Sequence, residues 1–364
     1  MPDGVIGRES SRLQAIDVVR GFVMIIMTLD HASSSFNAGR IMYDSAATAH
    51  AGMALDPLQF ATRWITHLCA PTFVMLAGAS LALSVTRRRR AGMPSSQIDR
   101  DILIRGALLI AIDALWMSWV WRLGTPIQLG VLYAIGMSMI GMIALRRLPA
   151  MLVGGLGVAI LVGGEALNGM LDPSSALVMA TMSGGTVGPV MFLYAFLPWT
   201  GFLMVGWALG VRLAGPGMRA RDWAILAAIA ALTFVIVRGL DGYGNAGMPR
   251  DGSSWIAWLH VSKYPPSLAY AALELAIAFG LLAATWRWAK PWRPLVVLGQ
   301  TALFFYFFHV HLLKLAAGAL GLYKSTGLGV TAIAWLVLIA ALYPLCRWYL
   351  AVKRRHPDSV LRFV

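Results

Sequence analysis

The sequence is poor in cysteine and in charged residues, and each shortage excludes a class of protein. Charged residues make up only 13% of the 364 residues, whereas 59% are hydrophobic. This balance excludes an ordinary soluble domain and indicates a polytopic membrane protein. The two cysteines, Cys69 and Cys346, fall in apolar stretches near opposite faces of the predicted membrane. We therefore expect neither a disulfide nor a metal site.

Apolar stretches long enough to cross the hydrocarbon layer recur along the chain. They predict an all-α, polytopic membrane helix bundle of about ten transmembrane helices. We expect one transmembrane domain over 1–364, without an internal repeat or a separate soluble domain, and with tails at 1–13 and 351–364. The predicted spans are 14–32, 59–84, 103–121, 127–145, 149–166, 189–212, 222–238, 264–286, 295–319 and 328–350.

Acidic residues are scarce as well, with 16 Asp and Glu against 30 Lys and Arg, which gives a net charge of +14. Most basic residues fall in alternate connecting segments, as the positive-inside rule requires of cytoplasmic loops. We therefore expect both termini in the cytoplasm, with lipids but no nucleic acid as partners. The basic segments contain Arg8 and Arg12, Arg87 to Arg90, Arg146 and Arg147, Arg219 and Arg221, Arg287 with Lys290 and Arg293, and Lys353 to Arg355.

The first predicted helix carries polar residues that are costly inside a membrane. Because a helix turns about 100° per residue, Arg20, Met24, Met27 and His31 form one stripe, whose polar ends lie about 16 Å apart. Ionisable residues at such positions are candidates for function. The structural alternative is an ion pair between Arg20 and Asp17, three residues apart on the helix, with His31 facing the headgroups. Asp17 and Arg20 also keep this segment from resembling a cleavable signal peptide.

Further polar residues lie in the outer halves of the predicted helices, where several helices converge. We expect Asp30 to pair with Arg63 or with His309 on a neighbouring helix. His309 and His311 are two residues apart, so they point in different directions and one of them is expected to face the site. The converging residues are Asp30, His31, Arg63, His67, Lys263, Tyr264 and His309.

A second polar set lies towards the predicted inner face. Arg20 and Arg105, near the run Arg87 to Arg90, are suited to a phosphorylated cofactor, because guanidinium groups bind phosphate through two hydrogen bonds. Contact with lipid headgroups is the commoner use of such arginines. Asp113 and Glu274 lie deep in the third and eighth spans, and the sequence assigns them no partner.

Asp17-Val18-Val19-Arg20-Gly21, followed by Leu29-Asp30-His31, resembles the first-helix signature of membrane acyltransferases. Other stretches resemble the bacterial branch related to heparan-α-glucosaminide N-acetyltransferase. They are Thr62 to Phe73 with Gly78, Lys263 to Leu268, Gly299-Gln300 through Tyr306 to His309, Phe36 to Arg40, and Asp44-Ser45.

The resemblance implies a protein of a bacterial inner membrane that transfers an acetyl or other short acyl group from acyl-CoA to an extracytoplasmic acceptor, typically a hydroxyl or amine of a sugar or glycan. The animal enzyme's proposed catalytic histidine lies in the first outer loop. Here that loop offers only His50, which aligns poorly, so His31 is the expected catalytic residue. With the residues above, the expected site comprises His31, Asp30, His67 and His309 for catalysis, Arg20, Asp17 and Arg105 for acyl-CoA, and Arg63, Asn37, Arg40, Asp44, Lys263 and Tyr264 for the acceptor.

In the expected mechanism, the pantetheine arm follows the stripe and His31 acts as general base. Arg63, His67 or His309 would stabilise the oxyanion, and an acyl-histidine intermediate stays open. The competing interpretation is a proton-coupled transporter, which uses the same residue types. A third interpretation is a non-catalytic subunit that binds a lipid or glycan. The acceptor, the acyl chain length and the oligomeric state, including a homo-oligomer, are left open.

Overall fold

The computed structural model describes residues 3–50, 52–122, 127–287, 292–356 and 359. Lys290 and the ends of both predicted tails lie outside these residues. The helices are α1 (Asp3–Phe36), α2 (Pro57–Ile65), α3 (Cys69–Arg90), α4 (Ser95–Ala111), α5 (Ser118–Arg122), α6 (Val131–Leu145), α7 (Ala150–Met170), α8 (Ala176–Val178), α9 (Phe196–Ala214), α10 (Ala220–Leu240), α11 (Trp255–Leu259), α12 (Leu268–Arg287), α13 (Arg293–Gln300), α14 (Ala302–Ala319) and α15 (Leu328–Arg355).

Eight helices among the described residues are long and apolar enough to cross a membrane. They confirm the predicted all-α polytopic bundle. In two of them a short irregular helical turn joins two α-helices: Thr66–Leu68 links α2 to α3, and Ile112–Met117 links α4 to α5. The other two predicted spans correspond to α1 and to the shorter α6, and their crossing of the membrane stays a prediction, as does the cytoplasmic position of the termini.

Several predicted boundaries differ from the structure. The spans predicted at 127–145 and 189–212 each begin in a strand, β1 (Ile127–Leu129) and β3 (Val190–Phe192), which pair in parallel. With β2 (Gly185–Val187), antiparallel to β3, they form a small sheet. The span predicted at 295–319 is interrupted at Thr301, between α13 and α14. Hydropathy marks where the chain is apolar, whereas strand pairing and helix ends depend on backbone hydrogen bonds to distant segments.

Two glycines bring α1 and α13 into backbone contact. A Cβ atom on Gly21 would lie 2.0 Å from the carbonyl oxygen of Leu295, and one on Gly299 would lie 2.0 Å from that of Asp17. Any larger residue would push the helices apart, so glycine is required at both places. The close approach positions Asp17 and the neighbouring Arg20 beside the end of α13.

Asp113 has a structural partner that the sequence did not reveal. It lies in the π-helical turn Ile112–Met117, and its Oδ2 accepts hydrogen bonds from the backbone N–H groups of Gly130 (2.7 Å) and Tyr133 (2.8 Å). These N–H groups stand at the start of α6, where backbone donors have no partner within the helix. Asp113 therefore caps α6.

Candidate active site

A cavity of about 840 Å³ runs along α1. Arg20, Met24, Met27 and His31 all line it, which confirms that the predicted stripe faces one space. At 1.5 Å per residue, the distance along the helix from Arg20 to His31 is about 16 Å. The cavity thus connects the two polar groups that the sequence placed near opposite faces of the membrane.

Nine of the thirteen predicted site residues line the cavity. Four do not: Asp17, Asp44, His67 and His309. The first, second and fourth of these each contact a residue that lines the cavity, and His67 contacts Asp44. The predicted residues that line the cavity are Arg20, Asp30, His31, Asn37, Arg40, Arg63, Arg105, Lys263 and Tyr264.

At one end of the cavity, Arg20 is held by several partners. Its Nη1 lies 3.0 Å from Asp17 Oδ1, so the ion pair that the structural alternative requires is present. Its Nη2 donates to Ser80 Oγ at 2.7 Å, and Gln300 Nε2 donates to Asp17 Oδ2 at 2.9 Å. Arg105 and Lys353 line the same end. This end, which we call the Arg20 end, is therefore strongly basic.

At the other end, Arg63 joins two carboxylates. Its Nη1 lies 2.7 Å from Asp30 Oδ1, which confirms one of the two predicted partners of Asp30. Its Nε donates to Asp44 Oδ2 at 2.8 Å, and its Nη2 also contacts that oxygen. Arg40 Nη1 lies 2.7 Å from Asp30 Oδ1, and His67 Nε2 lies 3.2 Å from Asp44 Oδ1. Both arginines are thus neutralised by buried or half-buried carboxylates.

Asp44 is a buried carboxylate in the loop between α1 and α2. Burial by itself raises the pKa of this carboxyl, but Arg63 and then His67 act in the opposite direction and outweigh it. The net pKa lies well below the ordinary value of 3.8. Asp44 is therefore ionised at neutral pH and fixes the position of Arg63.

The remaining acceptor-side predictions lie around this cluster. Asn37 is buried, and its Nδ2 donates to Gln59 Oε1 at 2.7 Å. Lys263 is only 4% exposed, and its Nζ stands 5.2 Å from the ring centroid of Tyr264 without a salt bridge to a described carboxylate. The Tyr264 hydroxyl lies 3.1 Å from that of Tyr194.

The histidine pair has a defined proton arrangement. His309 Nδ1 lies 2.9 Å from the carbonyl oxygen of Tyr306 and 3.1 Å from that of Phe305. A carbonyl only accepts, so Nδ1 carries the proton and neutral His309 has a free lone pair on Nε2. His31 Nδ1 lies 2.5 Å from that Nε2 and therefore donates to it. This assignment leaves a lone pair on His31 Nε2, which lies 3.9 Å from Asp30 Oδ2.

The second histidine of α14 takes no part in this pair, in agreement with the different directions that the spacing predicts for the two side chains. His311 stacks on Trp116, with ring centroids 4.3 Å apart, and does not line the cavity. His50 is exposed in its loop and does not line the cavity either. Glu274 is 1% exposed, and neither of its carboxylate oxygens has a hydrogen-bond partner among the described residues.

Sequence reasoning missed part of the wall. Lys314, Lys324 and Lys353 line the cavity, as do Tyr194 and Trp121. Lysines and aromatic residues near the ends of apolar stretches usually anchor a helix at the membrane interface, so their positions gave no distinct signal. They come from five separate helices and connections, and only the fold brings them together.

Protein-family models match most of the chain. Residues 12–243 match the model described as heparan-alpha-glucosaminide N-acetyltransferase, catalytic, and this match covers more than half of the chain. The chain belongs to this family of membrane acetyltransferases. Residues 212–357 match a second model, described as a protein of unknown function (DUF418). A comparison with curated proteins finds no match.

Proposed function

We propose that this protein transfers an acetyl or other short acyl group from acyl-CoA to a hydroxyl or amine of a sugar or glycan on the extracytoplasmic side of a membrane. The observation that carries the proposal is the cavity along α1. It has a basic end at Arg20 and Arg105, and a histidine with a free lone pair about 16 Å further along the helix.

The Arg20 end is suited to the phosphates of acyl-CoA. Arg105 lines it, and its buried Nε has no hydrogen-bond partner among the described residues. Lys353 adds a further positive charge there. Guanidinium and ammonium groups bind phosphate strongly in such partly buried settings. A phosphate group here would direct the pantetheine arm along Met24 and Met27 towards His31.

His31 Nε2 is the proposed general base. The acceptor oxygen or nitrogen attacks the thioester carbonyl carbon while His31 Nε2 takes its proton. The tetrahedral intermediate then collapses, the carbon–sulfur bond breaks, and His31 returns the proton to the departing CoA sulfur. Asp30, 3.9 Å from Nε2, stabilises the positive charge that His31 carries between these two steps.

Lys263 is the best placed group to stabilise the oxyanion. The sequence suggested Arg63, His67 or His309, but the structure commits Arg63 to Asp30 and Asp44, His67 to Asp44, and His309 to His31. Lys263 lines the cavity, is buried, and forms no salt bridge with a described carboxylate. A buried ammonium of this kind stabilises negative charge more strongly than one in water.

Calorimetric titration of acetyl-CoA into the detergent-purified protein tests the donor. Wild type should bind, and Arg105→Gln should weaken binding about tenfold or more, because a charge-assisted contact with phosphate is lost. Arg105 is preferred to Arg20, whose removal would also free Asp17. Arg221→Gln, at an exposed position, is the matched control. If acetyl-CoA and longer acyl-CoAs all fail to bind, the donor is wrong and the transporter interpretation takes its place.

A further inference from the structure

A second cavity, of about 390 Å³, adjoins the cavity along α1. Tyr264 lines both, and the following Pro265 and Pro266 line the second. The N–H groups of Lys263 and Tyr264 lie 2.8 and 3.3 Å from the carbonyl oxygen of Asp44, which fixes this wall to the loop between α1 and α2. His31 does not line the second cavity, so the proposed reaction makes no use of it. Its volume is nevertheless that of a site for a small molecule.

Two polar side chains of α7 line the second cavity. Glu165 and Asn168 are three residues apart, so they lie on the same side of the helix. Glu165 Oε2 and Asn168 Oδ1 are both buried, and neither has a hydrogen-bond partner among the described residues. Removing such oxygens from water without a hydrogen bond is unfavourable, and more so for a carboxylate than for an amide. Both oxygens therefore require a donor that the neighbouring side chains do not supply.

The rest of the wall offers little that could serve as that donor. The hydroxyl of Ser183 has one proton, which it donates to the carbonyl oxygen of Gly184 at 3.1 Å. Across the part of the chain that the structure describes, no lysine, arginine or histidine lines the second cavity. A partner for the Glu165 carboxylate must therefore come from a ligand and carry positive charge. Three residues of the wall are prolines, which have no backbone N–H: Pro198, Pro265 and Pro266.

The second cavity suits an organic cation better than a metal ion. Ca²⁺ takes roughly six to eight oxygen ligands in direct contact. Here much of the wall is hydrocarbon, from Ile160, Leu161 and Met182 among others. An ammonium group on a small carbon skeleton fits both features, because its N–H groups can donate to Glu165 and Asn168 while the skeleton packs on the apolar wall.

The two cavities have opposite charge, which keeps their ligands apart. The cavity along α1 is lined by several arginines and lysines, and its carboxylate Asp30 already pairs with Arg40 and Arg63. That cavity repels an ammonium ion. The second cavity presents the carboxylate of Glu165 and no described basic side chain, so it attracts one.

We infer that the second cavity binds a primary ammonium group, held by Glu165 and Asn168, at a site separate from the one proposed for acyl transfer. The ligand would lie against Tyr264, a residue of the wall between the two cavities. Val162 and Leu167, on the same helix, are apolar and exposed, so the site is next to lipid. The ammonium group can therefore belong to an ethanolamine headgroup or to a soluble amine.

Binding of cyclohexylamine and cyclohexanol to the full-length, detergent-purified protein at pH 7 tests the inference. The probes share a carbon skeleton, and only the amine is positively charged at this pH. Wild type should bind the amine at least tenfold more tightly, because the ammonium gains a charge-assisted hydrogen bond. Glu165→Gln should lose this preference. Asp172→Asn removes an exposed carboxylate that does not line the cavity, so it should keep the preference.

A second pair of variants tests the cavity itself while leaving Glu165 in place. Gly164 lines the cavity, and a Cβ atom there would meet nothing within 4 Å. Gly164→Leu should therefore fill the cavity and weaken amine binding at least tenfold. Gly163→Leu is the matched control, because Gly163 is equally open but does not line the cavity.

Three results would overturn the inference. They are equal affinity of wild type for the two probes, a preference for the amine that survives Glu165→Gln, and amine binding that Gly164→Leu leaves unchanged. Because no acyl-CoA is present, any of these results leaves the proposed acyl transfer untouched. Failure of acetyl-CoA to bind in a separate titration would equally leave the ammonium site supported.

Competition against bound cyclohexylamine identifies the source of the ammonium group. Phosphatidylethanolamine and phosphatidylcholine are compared in mixed micelles, because the second lipid has methyl groups in place of the N–H donors. Displacement by phosphatidylethanolamine alone assigns the site to a lipid headgroup. Displacement by ethanolamine but by neither lipid assigns it to a soluble amine. Equal displacement by both lipids would show that the N–H groups are not recognised and would contradict a primary ammonium site.

Discussion

At the scale of single residues, the proton on one histidine fixes the reactivity of another. His309 must donate from Nδ1 to the carbonyl oxygens of its own helix, so its Nε2 accepts from His31 Nδ1. The lone pair on His31 Nε2 then stays available. His309 is thus a positioning residue, and His31 is the group that meets the acceptor in the proposed reaction.

This arrangement predicts a graded series. His31→Gln should lower kcat by about 10²- to 10⁴-fold, the usual contribution of a general base. His309→Leu should lower kcat by about tenfold or more, whereas His309→Gln should retain more activity, because its amide oxygen can still accept from His31. The measurement is release of the CoA thiol from acetyl-CoA, with glucosamine as the acceptor amine, over a range of pH.

His311→Gln is the control for that series, since His311 stacks on Trp116 outside the cavity. It should leave kcat and its pH profile unchanged. Wild-type turnover by His31→Gln would remove His31 from the chemistry. Equal kcat for the two His309 variants would show that His309 only fills space.

Asp44 gives a prediction about stability. Asp44→Asn leaves Arg63 with a buried, partly uncompensated charge, which costs about 3–5 kcal/mol. The pKa of Asp44 is lowered in the folded protein, so its stabilisation is fully present above the ordinary pKa of 3.8 and is lost as the pH falls below it. Thermal unfolding in detergent should therefore show a gap between wild type and variant that narrows as the pH falls towards 3. Asp172→Asn, at an exposed position, is the control, and a gap that widens at low pH would contradict the prediction.

At the scale of elements, α10 organises the long segment that follows it. Arg238, near its end, is 1% exposed. Its guanidinium donates to Asn245 Oδ1 and to the carbonyl oxygens of Met248, Trp258, Ala257 and His260. One side chain thereby holds the segment that leads to Lys263.

Arg238→Lys should loosen this segment. An ammonium cannot reproduce the planar fork of donors, and the stranded carbonyl oxygens cost about 2–4 kcal/mol. Hydrogen exchange should rise across 241–263, and the KM for the acceptor should rise while acetyl-CoA binding is unchanged. Arg221→Lys, exposed at the opposite end of α10, is the control. Unchanged exchange in 241–263 would show that Arg238 does not hold it.

The packing of α1 against α13 explains why two of the family-like motifs contain a glycine. Gly21 and Gly299 occur in separate motifs of the first and ninth predicted spans, and each allows the backbone of the other's helix to approach. Periodicity placed both helices but could not show that they touch. The break at Thr301 and the small sheet of β1, β2 and β3 escaped prediction for the same reason, since each depends on contacts between distant segments.

At the scale of the whole molecule, the distribution of charge predicts an orientation. The basic segments should lie in the cytoplasm, and the segment 239–263 outside. Cys69 and Cys346 are both buried, so the native protein should react little with a membrane-impermeant maleimide. Ala91→Cys and Ser253→Cys place single reactive thiols at exposed positions on opposite predicted sides.

In intact cells, Ser253→Cys should be labelled, whereas Ala91→Cys should be labelled only after the membrane is permeabilised. Parent protein without either substitution is the control. The reverse pattern would invert the predicted topology and move the acceptor to the cytoplasm. Labelling of both thiols in intact cells would show that the chain between them does not cross the membrane as predicted.

The sequence by itself determined the membrane class, the stripe from Arg20 to His31, and the family motifs. These are local properties, set by composition, helical period and short ordered patterns. Only the tertiary structure decided that His309 fixes the proton of His31, that Asp113 caps α6, and that Lys263, Lys314 and Lys324 face the cavity. Each depends on residues far apart in the chain, whose proximity follows from how the helices pack and not from any local pattern.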